Sequence, residues 1–290
     1  MREQTGSPPA TQCDNRAVTT STDPAATISS TTTETGPDRS ALPAAATSRA
    51  VIDLEAVAHN GRLLAQTAGV PWMAVVKADA YGHGLGPIAL TALSAGASWL
   101  GVAQLAEALT LRALLDEAGV ARPVEEPSGQ APRVLSWLLP VMDPARAACE
   151  DSPLRAALKA DLDLSVSTLS QLEALAAAAR AQATTARLHL KVDTGMSRGG
   201  AMAEDLPALA AALRRAVDEG AVDVVGLWSH LSRADEPTSG STEEHLVRYR
   251  QAERIVREAG LTPSIHHLAA TGGLLWHPEA RMDLVRAGIG

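Results

Sequence analysis

The sequence predicts an α/β fold of the (β/α)8 TIM-barrel type. Three observations point there. Eight short apolar runs of strand length are separated from one another by stretches of helical character. Strands alternating with helices imply parallel pairing through right-handed crossovers. The part of the chain that carries them, from about residue 49 to residue 290, is close to the ~250 residues of such a barrel. No glycine-rich dinucleotide fingerprint follows the first strand, which disfavours the competing open, doubly wound sheet.

The elements read in order as follows. Residues 1–48 are rich in Ser, Thr, Ala and Pro with few large apolar groups, so they are expected to be a disordered tail, unable to bury enough surface to offset ordering entropy. Val51–Leu54 leads into a helix with Asp53 as N-cap, which ends near Gly69. Strand Trp72–Lys77 precedes a helix over Gly86–Leu93, and strand Ser98–Ala103 precedes helix Gln104–Ala118. Arg122–Pro132, with its Pro and Glu residues, reads as a surface loop. Strand Val134–Met142 then pairs with helix Pro144–Lys159, and strand Leu162–Ser167 with the Ala-rich helix Thr168–Gln182. Strand Arg187–Asp193 precedes helix Ala203–Glu219. Strand Val222–Ser229 leads through loop Arg233–Ser241 to helix Thr242–Ala259. Strand Ser264–Leu268, a short helix Thr271–Trp276 and strand Met282–Arg286 complete the series. No sequence remains after it for an eighth helix.

Composition narrows the function. The net charge is −8, and no basic stripe with interleaved aromatics occurs, so nucleic acid is not the expected partner. No apolar run reaches the roughly 20 residues of a membrane helix, and no signal-peptide apolar region begins the chain. The cysteines are Cys13 and Cys149, too few for a disulfide framework, so a reducing cytoplasm is the expected location.

The run Ala74–Gly84 (AVVKADAYGHG) carries the most chemistry. An apolar strand ends on Lys77, and Tyr81 and a glycine-flanked His83 follow. Lysine is scarce: of the 25 basic residues only Lys77, Lys159 and Lys191 are Lys. Lys can lose its proton in a desolvated site and Arg cannot. Two of the three lysines close predicted strands, which points to Schiff-base chemistry on an aldehyde cofactor. Barrel sites form at the C-terminal strand ends. There the sequence places Lys77, Lys191, Asp193, His230, His266, His267 and Arg286. The competing readings are a solvated charge for Lys77, one core and one exposed histidine for His266–His267, and an ion-pair partner for Arg286.

Ala74–Gly84 resembles the cofactor-lysine motif of the alanine racemase family. The resemblance runs from about Ala50 to Gly290, through Val51–Asn60, His189–Arg198 (HLKVDTGMSR), Trp228–Leu231 with Ala234–Asp235, His267–Gly272 and Leu284–Gly290. It implies a barrel binding pyridoxal 5′-phosphate, with alanine as substrate and D-alanine for peptidoglycan as product. Lys77 would carry the cofactor and act as base on one face of the α-carbon. Tyr81, Thr271, Gly288 and Ile289 would hold the phosphate. Arg286 would face the pyridine nitrogen, with His230 supporting it. Arg198 would lie near the phenolic oxygen and the substrate carboxylate, oriented by a carbamylated Lys191. No metal is implied, and the complete protein would be a homodimer.

The sequence departs from this family in three ways. It ends before the C-terminal β domain that supplies the opposite-face tyrosine, so it reads as a fragment. Tyr81 and Tyr249 are its only tyrosines; the first belongs to the phosphate motif and the second to a predicted surface helix. Ala270–Thr271 stands where the family commonly has Asn–Ser, and the N-terminal tail has no counterpart. Two alternatives remain open at this level: a single-barrel cofactor-binding protein without racemase activity, and a related racemase acting on another amino acid such as serine.

Overall fold

The computed structural model describes residues 50–125 and 131–289. The tail 1–48, the centre of the loop over Arg122–Pro132, Cys13 and Gly290 lie outside them. Eight parallel strands form one sheet: β1 (Trp72–Val75), β2 (Trp99–Gln104), β3 (Arg133–Leu138), β4 (Asp163–Val166), β5 (Ala186–Lys191), β6 (Val222–Trp228), β7 (Ile265–His267) and β8 (Val285–Ala287). Each pairs with its sequence neighbour from β1 to β7, and β8 pairs with β1. The last gap closes through a bridge between Ala270 and Arg286. The carbonyls of His266 and Ala269 accept there from Asp283 N–H (3.0 Å) and Arg286 N–H (3.0 Å). The barrel expectation therefore holds.

Local chemistry explains most boundaries. Helix Leu54–Ala68 begins where Asp53 Oδ1 accepts from the N–H groups of Glu55 and Ala56, and stops at Gly69 with φ 67°. Helix Leu169–Ala181 is capped by Thr168 and buries an Ala/Leu face against the sheet. Three expectations need correction. The helix expected over Pro144–Lys159 is two, Pro144–Ala148 and Pro153–Lys159, because Pro153 cannot continue a helix and starts a new one behind the Ser152 cap. The last strand is shorter than Met282–Arg286, since Met282 takes φ 51°. Tyr249 is not on a surface. It is 1% exposed, and its hydroxyl donates to the Leu227 carbonyl at 2.7 Å.

The main core lies between the strands and the surrounding helices, where Leu100, Leu164, Leu188, Leu190, Leu175 and Leu213 are fully buried. Inside the barrel, Met73, Trp99, Leu135 and Leu284 form a separate apolar cluster. Buried Asp163 and Ser165 stand on β4, His189 on β5, His267 on β7 and Arg286 on β8. Polar groups inside a barrel carry a desolvation cost that hydrogen bonds must offset. Among the described residues no helix is long and apolar enough to cross a membrane.

Candidate active site

At the C-terminal ends of the strands lies a cavity of about 740 Å3. Lys77, Tyr81, Lys191, Arg198, His230, Thr271, Arg286, Gly288 and Ile289 all line it. Topology therefore brings together nine of the residues singled out in the sequence. Asp193 and the His266–His267 pair do not line it.

Lys77 sits just past β1, at the start of a turn Lys77–Gly82 in which Ala78, Asp79, Ala80 and Tyr81 take φ between 52° and 58°. Four successive non-glycine residues in the left-handed region cost about 1–2 kcal/mol each. Tertiary contacts hold them there. Glu107 Oε1 accepts from Ala78 N–H at 2.6 Å, and its Oε2 accepts from Ala103 (3.1 Å) and Gln104 (2.8 Å). Asp79 Oδ1 accepts from Leu85 N–H at 2.7 Å. The turn aims Lys77 and Tyr81 into one cavity, with the Lys77 Nζ 5.8 Å from the Tyr81 ring centroid.

Lys191 ends β5, and the loop after it is pinned on both sides. Ala201 N–H donates to the Lys191 carbonyl (2.8 Å), and Asp193 N–H donates to the Ala201 carbonyl (2.9 Å). Asp193 Oδ1 accepts from Gly195 and Ser197. Gly200, at φ 141°, lies so near this backbone that a Cβ would come 2.5 Å from Asp193 N. The loop delivers Arg198 to the cavity. Burial, then the charges of Arg198 and Arg286, lower the Lys191 pKa to about 8, against a smaller opposing effect of Asp193. Its amine lies 4.8 Å from the Trp228 ring centroid.

Arg286 is 4% exposed, and among the described residues its side-chain contacts are backbone carbonyls and histidines rather than carboxylates. Its Nη2 donates to the carbonyls of Ser229 (2.8 Å) and Leu268 (3.0 Å) and lies 3.3 Å from His230 Nδ1. Its Nη1 lies 3.1 Å from His267 Nδ1. The Nε takes part in none of these contacts. Burial lowers the guanidinium pKa to about 9, still charged near neutrality. His230 is pushed to about 3 by burial and then by Arg286, Arg198, Lys191 and Lys77, so it is neutral and accepts from Arg286. Of the histidine pair, His267 is fully buried and His266 is half-buried.

In the same cavity, Thr271 Oγ1 accepts from Gly288 N–H at 3.2 Å. A Cβ on Gly288 would come 2.3 Å from Tyr81 Oη, so only glycine fits between them. Together these groups present two hydroxyls and a backbone N–H to one corner of the cavity, a combination suited to an anion. Ala270 contributes no polar group.

The residues that position this site carry weaker sequence signals. Glu107 had a signal, because Gln104-x-x-Glu107 has the spacing of a capping box. Trp137 and Trp228 also line the cavity; as apolar strand residues they looked like core. Asp163 and His189 had no local signal of a shared role, since only the barrel brings them near Arg286. Among the described residues no cluster of three or more His, Cys, Asp or Glu could hold a metal ion.

Residues 52–290 match the family described as "Alanine racemase, N-terminal domain". The alanine racemase of Beutenbergia cavernae is 46% identical over 242 residues, which are 83% of this chain and 58% of that protein. The crystal structure of alanine racemase from D-cycloserine-producing Streptomyces lavendulae is 40% identical, with a TM-score of 0.72, covering 82% of this chain and 56% of that one. Alanine racemase from Bartonella henselae, solved with covalently bound pyridoxal phosphate, is 26% identical with a TM-score of 0.64, covering 82% and 58% respectively. The chain thus spans just under three-fifths of the length of these proteins.

Proposed function

This chain belongs to the alanine racemase family, and on that premise we propose that it is the pyridoxal-phosphate-binding barrel of an enzyme that interconverts L- and D-alanine. One observation carries the reading. Lys77, the buried Arg286 and the Tyr81–Thr271–Gly288 corner converge on one cavity. These residues fit the cofactor: an amine for its aldehyde, a guanidinium for its ring nitrogen and hydroxyl and N–H donors for its phosphate. Bound there, the cofactor withdraws electrons from the substrate α-carbon and makes its proton removable.

The chain's own residues divide the work. Lys77 Nζ would hold the aldehyde carbon, and its amine would remove or return the substrate α-proton on one face, as a base held within reach. Tyr81 Oη, Thr271 Oγ1, Gly288 N–H and the backbone at Ile289 fix the phosphate. Arg286 would donate to the ring nitrogen and, being charged, would disfavour its protonation, which would restrain side reactions. His230 accepts from Arg286 and keeps it oriented. Arg198 receives the substrate carboxylate near the phenolic oxygen. Racemisation needs a second base on the other face, and Tyr249 is buried beneath its helix. We place that base in the part of the relatives that this chain does not span, in a homodimer. The barrel from residue 49 onward is then the N-terminal domain, and the cytoplasm, where D-alanine would feed peptidoglycan, its location.

The test is α-proton exchange of D- and L-alanine in D2O, followed by NMR with added pyridoxal phosphate and chirality read in parallel. Exchange of the D-isomer without interconversion is expected. Absence of exchange with the cofactor bound at Lys77 would overturn the assignment of Lys77 as base. Full interconversion would mean that this chain itself holds the second base. Parallel exchange with serine decides the substrate.

Lys191 is proposed to be carbamylated. Its free amine attacks CO2, a C–N bond forms and one proton leaves to solvent, giving an anion beside Arg198. Only the unprotonated amine reacts. With its pKa lowered to about 8, uptake is expected to rise as the pH climbs through 8 and to be weak below 7. The readout is a carbamate carbon resonance under 13CO2, absent in Lys191→Arg; an unchanged spectrum in that variant would refute the modification.

A further inference from the structure

A hydrogen-bonded chain runs through the barrel from Asp163 to Arg286. Asp163 Oδ2 lies 3.2 Å from His189 Nε2, His189 Nδ1 lies 2.9 Å from His267 Nε2, and His267 Nδ1 lies 3.1 Å from Arg286 Nη1. Asp163, His189 and His267 are 0% exposed. We propose that Asp163 is a positioning residue that sets the proton polarity of this chain and so holds Arg286 as an oriented, charged donor at the cavity. The proposal rests on the reading that Arg286 faces the cofactor ring.

The polarity follows from what each group can do. A guanidinium only donates, and a carboxylate only accepts. Arg286 donating to His267 Nδ1 requires the His267 proton on Nε2. That proton points at His189 Nδ1, which must therefore accept, so His189 also carries its proton on Nε2 and donates it to Asp163. Two neutral imidazoles between a donor-only and an acceptor-only end have this one consistent arrangement. Asp163 is kept as the acceptor end. Burial would raise its pKa, but the hydrogen bond from His189 and the surrounding positive charge, Arg133 first, outweigh that and hold it well below the usual carboxylate range. Arg133 lies 2.7 Å and Arg187 3.2 Å from Oδ1.

The surroundings fit a rigid chain. The His189 ring occupies space left by Gly226, where a Cβ would come 2.1 Å from Nδ1. Trp99 meets His189 edge-on at 5.3 Å, and Trp228 stacks on His267 with the planes 5° apart.

Replacing Asp163 by Asn reverses the acceptor end. With both Arg133 contacts on the Oδ1 side drawing the amide oxygen, the amide N–H2 faces His189 Nε2. Both imidazoles must then take the Nδ1–H form, and His267 meets Arg286 donor to donor. A carboxylate that fixes a distant tautomer through histidine is a recurring device.

The test is 15N NMR of the histidine-labelled protein, assigned with His189→Gln and His267→Gln. Both rings are expected as neutral Nε2–H tautomers; an Nδ1–H or doubly protonated form of either overturns the arrangement. Asp163→Asn is expected to move both protons to Nδ1, and unchanged tautomers would refute control by Asp163. Arg286→Leu addresses the same point without disturbing Asp163: the Nε2–H forms must persist if Asp163 sets them, and mixed tautomers would count against it. Pyridoxal phosphate retention is read alongside. His189→Gln can pass the polarity on, accepting with its oxygen and donating with its nitrogen, so it is expected to bind near normally. Asp163→Asn is expected to lose about tenfold or more, the size of effects transmitted through a supporting group. Inverted tautomers with unchanged cofactor absorption and binding would uphold the relay and reject the placement of Arg286 at the cofactor ring.

Discussion

Lys77→Ala is expected to abolish covalent retention of pyridoxal phosphate outright. The protein has three lysines, so borohydride reduction and peptide mapping have three answers. Lys159 ends the helix Pro153–Lys159 and does not line the large cavity. Lys191 does line it, yet the loop that pins it also places Arg198 beside it. Lys77 alone stands on a turn whose unfavourable backbone is held by neighbouring elements, the signature of a group that must point one way. The reduced adduct should map to Lys77 in the unmodified chain and vanish in the variant. An adduct of equal yield on Lys191 or Lys159 would reject the assignment.

Glu107→Ala should destabilise the barrel by about 2–4 kcal/mol and strip its affinity for the cofactor as well. One carboxylate accepts three backbone N–H groups, from Ala78, Ala103 and Gln104. Hydrogen bonds to a charged group contribute about 1.5–3 kcal/mol each, discounted here because the carboxylate is half-buried. Removing it also frees the left-handed turn to relax toward ordinary backbone and takes Lys77 and Tyr81 out of register with the cavity. Glu107→Gln retains one acceptor oxygen and should fall between. Urea denaturation gives the stability and the cofactor absorption the site geometry. A change in Glu107→Ala within about 0.5 kcal/mol, the range of an inert surface substitution, would show that other contacts hold the turn.

Both experiments bear on positions of unequal visibility in the sequence. Lys77 stood out because lysine is scarce and follows an apolar strand, and its motif resembled a family. Glu107 was half legible through its capping spacing, but that spacing could not reveal that the same carboxylate reaches back to Ala78, 29 residues earlier. Asp163 looked like one more aspartate at the start of a strand. Tyr249 was misread, because the polar helix that carries it still buries one face against β6. The split of the Pro144–Lys159 helix was written in Ser152–Pro153, a cap and an N1 proline, and was overlooked.

The sequence by itself determined the succession of strands and helices, hence parallel pairing and the barrel, because side-chain periodicity and local caps act over a few residues. It also determined which residues could carry amine, guanidinium and hydroxyl chemistry. Only the tertiary structure decided which of them meet. Strand ends far apart in the chain become neighbours when a sheet closes on itself, and no local pattern encodes that distance. Burial then assigned their states: a lysine lowered toward neutrality, a histidine kept neutral and an arginine left charged with N–H groups to spare, since the cost of a charge depends on the solvent it has lost.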